Sequence, residues 1–374
     1  MILLLSFDVR RRGGIERLTL QVQHSLESQG QQVVLLCPQR LGPGLAGRWL
    51  GRSWFLLRLA WWLPRATQVL SMHALLLRPV LALRWLRPAR QSLWAWIHGI
   101  EVWGAALQPV ASQLRRCEGL MASSTFTRDQ LLARPGLWPA VRVVHPMANL
   151  IDGREPPTPL PQGLRLLTVA RLAANERYKG HRLVLAALAQ LRANQALPPD
   201  LRWRVVGNGD DLPALQQECR AMGLEPWVQF LGSLSDTALR DELNGCSLLL
   251  MPSAYGVAAN GQASGEGFGI VYLEAAQARR ASIACRAGGQ TDLIVDRRTG
   301  WLIDPDPSQL AALLRQLLQP EGHEQLSQAG QGAWERAGAQ FDAGTFNRAL
   351  AAALGLPPHG PAGADAADQP AAAG

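Results

Sequence analysis

Residues 151–170 read IDGREPPTPLPQGLRLLTVA. Four prolines fall in the first thirteen positions. Proline lacks a backbone donor and is excluded from helix interiors and central strands, so 151–163 reads as a linker or a stiff connection. The next seven residues, LRLLTVA, are a short and nearly continuous apolar run, the pattern of a strand buried on both faces. A strand restarting directly after a proline-rich break divides the chain into two halves. Upstream, residues 1–7 (MILLLSF) predict a buried parallel strand. Gly13-Gly14 follows, then an amphipathic run over 15–29 with Leu18, Val22 and Leu26 on one face. Gly30 ends that run, and 32–37 (QVVLLC) is a second strand, completing a β–loop–α–β unit. Further strands are expected at 68–73, 93–98, 119–122 and 141–144. Residues 1–150 therefore read as one Rossmann-like, doubly wound domain.

Downstream, the same rhythm runs to residue 340. Strands are expected at 164–170, 202–206, 228–231, 247–251, 282–285 and 300–303. Helices are expected at 181–191, 212–222, 270–278, 309–318 and 323–337. Residues 164–340 form a second Rossmann-like domain. A helix over 341–354 follows, with packing back onto the N-terminal domain left open. Residues 355–374 are Pro/Ala/Gly-rich without apolar periodicity and read as a disordered tail. The expected fold class is α/β: two doubly wound domains facing across a cleft. Ligands in such sheets sit beyond the carboxyl ends of the strands.

The 374 residues are 48% hydrophobic and 18% charged, which excludes a disordered or coiled-coil chain. Five cysteines, an odd number and without a CxxC, argue against a secreted disulfide framework and for a reducing cytoplasm. The apolar runs at 54–63 and 74–86 are interrupted by Arg, so no membrane span of ~20 residues is expected. The N-terminal run does not read as a signal peptide, because its charges follow the apolar stretch instead of preceding it, so none is expected. Residues 1–150 hold 18 Arg against six acidic residues, a net +12, while the remainder is at −4. The same half holds nine of the 13 Trp. Such a half fits an anionic surface, lipid headgroups or nucleic acid, and equally a packed domain whose Arg stems cover apolar area.

Some motifs are missing. The first strand–helix turn has no GxGxxG, and neither a Walker sequence nor metal-ligand His/Cys spacing occurs, so a nicotinamide oxidoreductase is disfavoured. The strongest segment is Gly265-Glu266-Gly267-Phe268-Gly269-Ile270-Val271-Tyr272-Leu273-Glu274-Ala275. Its glycines let backbone N–H groups approach an anion at a helix N-terminus. A bound phosphate would need countercharge. Of 37 basic residues only one is Lys, and Lys179 lies in the loop that follows the strand LLTVA, together with Arg171. A compact ammonium and a guanidinium there can meet a diphosphate. Gly207-Asn208-Gly209 after a third strand is a weaker signal of the same kind.

Six segments in order carry a family resemblance: TVARLAANERYKG (168–180), VVGNGDD (205–211), FLGSLSD (230–236), LLLMPSA (248–254), EGFGIVYLEA (266–275) and AGGQTDLIVDRRTGWLIDP (287–305). The chain resembles family 4 of the retaining glycosyltransferases over nearly all of 1–340. Gly13-Gly14, WIHGIE (96–101) and SSTFTR (123–128) are similar to that family as well. The resemblance implies a GT-B fold, a nucleotide-sugar donor bound by the second domain, transfer with retention, and no metal or other cofactor. By the same resemblance Arg171 and Lys179 bind the donor diphosphate and stabilise the leaving group. Glu274 binds the ribose hydroxyls. Glu266 and the amides of Gly267, Phe268, Gly269, Ile270 and Val271 hold the donor sugar and phosphates, and Gly207 and Asn208 are expected among the donor-binding residues. Gly14 admits the diphosphate to the first loop. His98 faces the donor sugar near the reacting carbon, or is an ordinary strand-end histidine. His73 and His145 read as the latter. The resemblance favours front-side attack, since no carboxylate is identifiable as a covalent nucleophile.

EGFGIVYLEA and the loop before it resemble the phosphatidylinositol mannosyltransferases, which points to GDP-mannose, with UDP-glucose second. The expected acceptor is a lipid, a glycan or a polar metabolite. Peripheral attachment to an anionic membrane through residues 48–90 is the expected placement, at the cytoplasmic face, and no nucleic-acid module is present. Two departures from the family pattern stand out. Ala278-Arg279-Arg280-Ala281-Ser282 replaces Gly-x-Pro-Val, and the loop 254–265 is longer and Gly/Ala-rich. The alternatives are a nucleotide-sugar-binding protein or an epimerase on the same fold, without transferase activity.

Overall fold

The computed structural model describes residues 1–7, 9, 13–38, 44–148, 150–151 and 158–357. Residues 152–157 of the proline-rich break and nearly all of the expected tail lie outside the described residues. The first sheet is made of β1 (Ile2–Leu5), β2 (Val33–Leu36), β3 (Gln68–Ser71), β4 (Ser92–Ile97), β5 (Gly119–Ala122) and β6 (Ala140–Val143), all parallel, in the order β2-β1-β3-β4-β5-β6. The second comprises β7 (Arg165–Val169), β8 (Arg202–Val206), β9 (Val228–Gly232), β10 (Leu248–Leu250), β13 (Ala281–Cys285) and β14 (Gly300–Ile303), again parallel, in the order β14-β13-β10-β7-β8-β9. Between β10 and β13 lies a small antiparallel hairpin, β11 (Gly256–Val257) and β12 (Ala263–Ser264).

Both large sheets are covered on both faces, so the central strands β1, β5, β10 and β13 are buried at every position, while β6, β8 and β9 carry exposed or half-buried polar residues. On the first sheet, Leu3, Leu5, Val69 and Leu93 pack with Phe55 and Leu59 of the helix Gly44–Trp62. The opposite face, with Ile2, Leu4, Leu70 and Trp96, meets Leu18, Val22 and Leu26 of the helix Gly14–Ser28. That face also receives the last helix, Ala343–Leu354, through Phe346, Leu350 and Leu354. On the second sheet, Leu166, Trp203, Leu248 and Ile283 form a core with the helices His181–Ala193 and Pro307–Leu317. Leu167, Val206 and Leu249 face the helices Ile270–Gln277 and Pro320–Gln340.

The two departures from the family pattern have structural counterparts. Arg279 adopts φ 58° after the helix Ile270–Gln277, and its guanidinium lies 4.0 Å over the Trp334 ring. Arg280 is buried and donates to the carbonyls of Thr158, at 2.8 Å, and Asn244, tying the second domain to the end of the linker. The loop 254–265, expected as irregular, contains the hairpin β11–β12. Two-residue strands of Gly, Val, Ala and Ser carry no readable alternation, so tertiary pairing decides this element.

Candidate active site

A cleft of about 620 Å³ lies where the carboxyl ends of the two sheets converge. Gly14, Ile15, His73, His98, Ile100, Glu101 and Ser123 line it from the first half, and Arg171, Lys179 and 265–271 from the second. Each comes from a loop or helix start that follows β1, β3, β4, β5, β7 or the β11–β12 hairpin, so the crossover topology gathers residues more than 250 positions apart. Close packing of backbones narrows the cleft. A Cβ at Gly267 would overlap the carbonyl oxygen of His98, so only glycine permits this approach of the two halves.

Lys179 Nζ is 2.6 Å from Glu266 Oε2, and both side chains are largely buried. Burial acts to lower the Lys179 pKa, but the adjacent Glu266 carboxylate outweighs it and holds the ammonium above the ordinary lysine value. The same burial pushes the neighbouring Tyr178 phenol up to about 12. Arg171 is three-quarters exposed and pairs with Glu176. The sequence reading placed Lys179 with Arg171 on a diphosphate and Glu266 on the sugar. The structure brings Lys179 and Glu266 themselves into contact across 87 residues, a pairing that spacing could not reveal.

Gly269, at φ 87°, precedes the helix Ile270–Gln277, whose first turn opens on the cleft at Ile270 and Val271. The leading N–H groups of a helix have no intrahelical acceptor, so this end offers donors and a favourable dipole to an anion. Gly14 opens the helix on the other wall, 3.8 Å from Ile270 when given a Cβ.

His98 is fixed by its own partners. Nε2 is 2.7 Å from the Met72 carbonyl, which only accepts, so Nε2 carries the proton. Nδ1 then accepts from the Ser123 hydroxyl at 3.0 Å, and Ser123 accepts from the buried Trp96 indole at 2.9 Å. With both nitrogens engaged, His98 shapes the wall beside the cleft, and acid–base work there would require breaking one of these bonds. His73, read as an ordinary strand-end histidine, does line the cleft. Its Nδ1 caps the Leu75 amide at 3.2 Å. Burial lowers its pKa, against an opposing influence of Glu101. His145 lies off the cleft and joins the halves through Asp292 at 2.9 Å.

Glu274 is buried one turn behind the cleft wall and faces Arg17, at 3.3 Å. Arg17 also reaches Asp236, at 2.9 Å, so one guanidinium from the first half bridges two helices of the second. Burial pushes the Glu274 carboxyl up to about 7, with Arg17 pulling it down and Asp236 adding to the rise. Neither Arg17 nor Asp236 was singled out in the sequence. Arg17 lies one turn after Gly13-Gly14, and that position was the available signal. Gly207 and Asn208 are not among the cleft-lining residues. Gly207 packs where a Cβ would overlap the Ala170 carbonyl, and the Asn208 carbonyl accepts from Leu172 N at 3.0 Å. They support the Arg171 loop from behind.

Two doubly wound parallel sheets facing across a cleft make up the GT-B fold. Residues 160–334 match the family model described as glycosyl transferases group 1. Glycogen synthase of Mycobacterium tuberculosis is 27% identical over 227 residues, 59% of this chain and 48% of that protein. The GDP-mannose-dependent α-(1-6)-phosphatidylinositol monomannoside mannosyltransferase of Mycolicibacterium smegmatis is 28% identical over 229 residues, 55% of each chain. The matched region thus spans about half the length of these relatives. Anabaena Alr3699/HepE, solved with UDP and glucose, superposes with a TM-score of 0.72 at 19% identity, over 95% of this chain and 99% of that one. At that identity the likeness speaks for the fold.

Proposed function

We propose that this protein is a retaining, metal-independent glycosyltransferase that moves a hexose from a nucleotide-sugar to an acceptor hydroxyl. The observation that carries this reading is the Lys179–Glu266 pair set beside the open helix N-terminus, with Arg171 at the rim. In the proposed step the acceptor oxygen bonds to the anomeric carbon on the face that the diphosphate leaves. The anomeric carbon–oxygen bond to phosphate breaks, and the acceptor proton passes to the departing phosphate oxygen. Lys179, Arg171 and the N–H groups of 270–271 stabilise the charge gathering on that diphosphate. Glu266 holds the sugar and orients Lys179. GDP-mannose is the first candidate donor, as for the mycobacterial mannosyltransferase, and UDP-glucose is the second. Thermal stabilisation by GDP, UDP and ADP tests this. A nucleotide at 100 times its Kd adds about 2.7 kcal/mol to stability, and Glu274→Ala should lose the shift. A folded protein that responds to none of the three would return the chain to a binding or epimerase role for another ligand.

The acceptor in this reading is a lipid, a lipid-linked glycan or a polar metabolite, reached at the cytoplasmic face of a membrane. No helix among the described residues is long and apolar enough to cross a bilayer. Peripheral attachment is supported by the helix Gly44–Trp62. Its Phe55 and Leu59 point into the core while Trp49, Leu50, Trp54, Leu57 and Trp61 stand exposed. Arg52 and Arg65 lie over the Trp49 and Trp61 rings. Between Glu27 and Glu101 the chain has no acidic residue and nine Arg. Tryptophan with arginine at a polar–apolar boundary matches an anionic headgroup layer, at about 1 kcal/mol per basic residue near the surface. The protein should float with phosphatidylglycerol vesicles at low salt and detach as salt rises. A Trp49→Ala/Trp54→Ala/Trp61→Ala variant should stay in the dense fraction. Equal flotation of that variant would return the helix to an ordinary surface.

A further inference from the structure

The departure at 254–265 is not accounted for by donor binding. Its hairpin belongs to the second half in sequence but is built into the first. Gly261 accepts a hydrogen bond from the Ala105 amide at 2.8 Å, and Gln262 bridges to Gly104. Gly104 has φ 53°, and a Cβ there would overlap the Gly261 carbonyl, so the contact requires glycine at that place. Ala263 is buried in the core of the first sheet. Tyr255 packs edge-on to Trp103 and Phe126, with ring centroids 5.5 and 5.0 Å away, and its hydroxyl donates to Gln130 at 3.1 Å.

Both ends of this element adjoin the ion pair in the cleft. At its start, the Ala254 amide donates to the Tyr178 carbonyl at 2.8 Å, one residue before Lys179. At its end, Gly265 runs directly into Glu266. On the first half, the anchor at Gly104–Ala105 lies between Ile100, Glu101 and Ala106, which line the cleft. The hairpin therefore clamps one edge of the cleft and couples Lys179 and Glu266 to the opposite wall. Opening that edge means withdrawing Ala263 and the Tyr255 ring from a packed core.

We propose that the hairpin β11–β12 is a strap that selects the acceptor against water. It keeps the wall at 100–106 pressed to the donor loop, so that the reacting carbon is shielded on this edge and is reached by a hydroxyl bound along the His73–Leu75 side. The proposal rests on the transferase reading. Its failure would show as a side reaction in which water replaces the acceptor. The water oxygen bonds to the anomeric carbon, the carbon–oxygen bond to phosphate breaks, and free hexose and nucleoside diphosphate appear, with one water proton released to buffer and the other kept on the sugar hydroxyl.

The test is hydrolysis of GDP-mannose and UDP-glucose without added acceptor, in the full chain and in Gly104→Val and Tyr255→Leu variants. Gly104→Val forces the anchor apart, and Tyr255→Leu is the milder change that keeps an apolar side chain in the core. With folding verified by melting, loosening the strap should raise hydrolysis about tenfold, because water exclusion is lost while donor binding is kept. The nucleotide-induced shift in melting temperature should be unchanged in Tyr255→Leu. An unchanged hydrolysis rate beside an intact nucleotide shift overturns the strap alone. No nucleotide shift in the parent protein overturns the transferase reading and the strap together.

Discussion

Glu274→Gln should make the protein more stable at pH 8 and leave it unchanged at pH 5. The carboxyl is nearly fully buried, and burial lifts its pKa from 4.5 to about 7, in spite of Arg17 at 3.3 Å. In the unfolded chain the group ionises at its ordinary value. Between the two values the folded protein holds a proton that the unfolded chain has released, so stability falls as pH rises through this window. Above pH 7 the whole cost is present, on the order of 3 kcal/mol for a displacement of this size. Glutamine keeps the shape and removes the ionisation, while Arg17 retains Asp236. The expected result at pH 8 is a melting temperature higher by about 2–4 °C, with the difference shrinking to nothing near pH 5. The same variant should bind nucleotide more weakly, because a carboxylate is the better acceptor for paired ribose hydroxyls. A gain in stability coupled to a loss of binding is the mark of a group kept for function. Equal melting curves at both pH values would show that Glu274 is not carrying a buried charge.

The second large effect is expected at Lys179. Replacing it with Met leaves Glu266 in a largely buried place without its countercharge. Removing one partner of such a pair costs about 3–5 kcal/mol, since the remaining charge keeps its desolvation penalty. The turnover of nucleotide-sugar should fall on the order of 10³-fold, the scale for losing a donor aimed at a departing anion. Lys179→Arg should not restore it, because a planar fork does not occupy the space of a compact ammonium. The double variant Lys179→Met/Glu266→Gln should regain most of the stability of the parent protein and none of the activity. That split separates a structural ion pair from a catalytic one. If the double variant recovers turnover as well, the pair is structural only, and the diphosphate must be held by Arg171 and the helix N-terminus.

Most of the framework was legible before any coordinates. The strands at 1–7, 119–122 and 300–303 could be read because a parallel sheet covered on both sides needs short, nearly continuous apolar runs, and 202–206 because Trp203, Val205 and Val206 supply the buried positions beside Arg202 and Arg204. The helix 15–29 was legible from Leu18, Val22 and Leu26, which recur at helical spacing and are all buried. The loops that carry chemistry could be located because strand ends and glycines mark where backbone can meet an anion. The hairpin at 256–264 escaped notice because its two-residue strands pair only with each other, and the bridge from Gln262 to Gly104 joins residues far apart in sequence. His73 was undervalued for a related reason. A histidine after a strand looks the same in sequence whether it caps a turn or borders a cleft.

The sequence by itself determined two α/β halves, the order of their strands and helices along the chain, and the set of loops from which a site could be made. These follow from local periodicity and from backbone freedom at Gly and Pro, which act over a few residues. Only the tertiary structure decided the partners: Lys179 with Glu266, Arg17 with Glu274 and Asp236, His98 with Met72 and Ser123, and the strap with the first sheet. Charge pairs and backbone contacts of this kind leave no periodic trace. Their members are separated by 87 residues in one case and 257 in another, and the crossovers of the sheets bring them together.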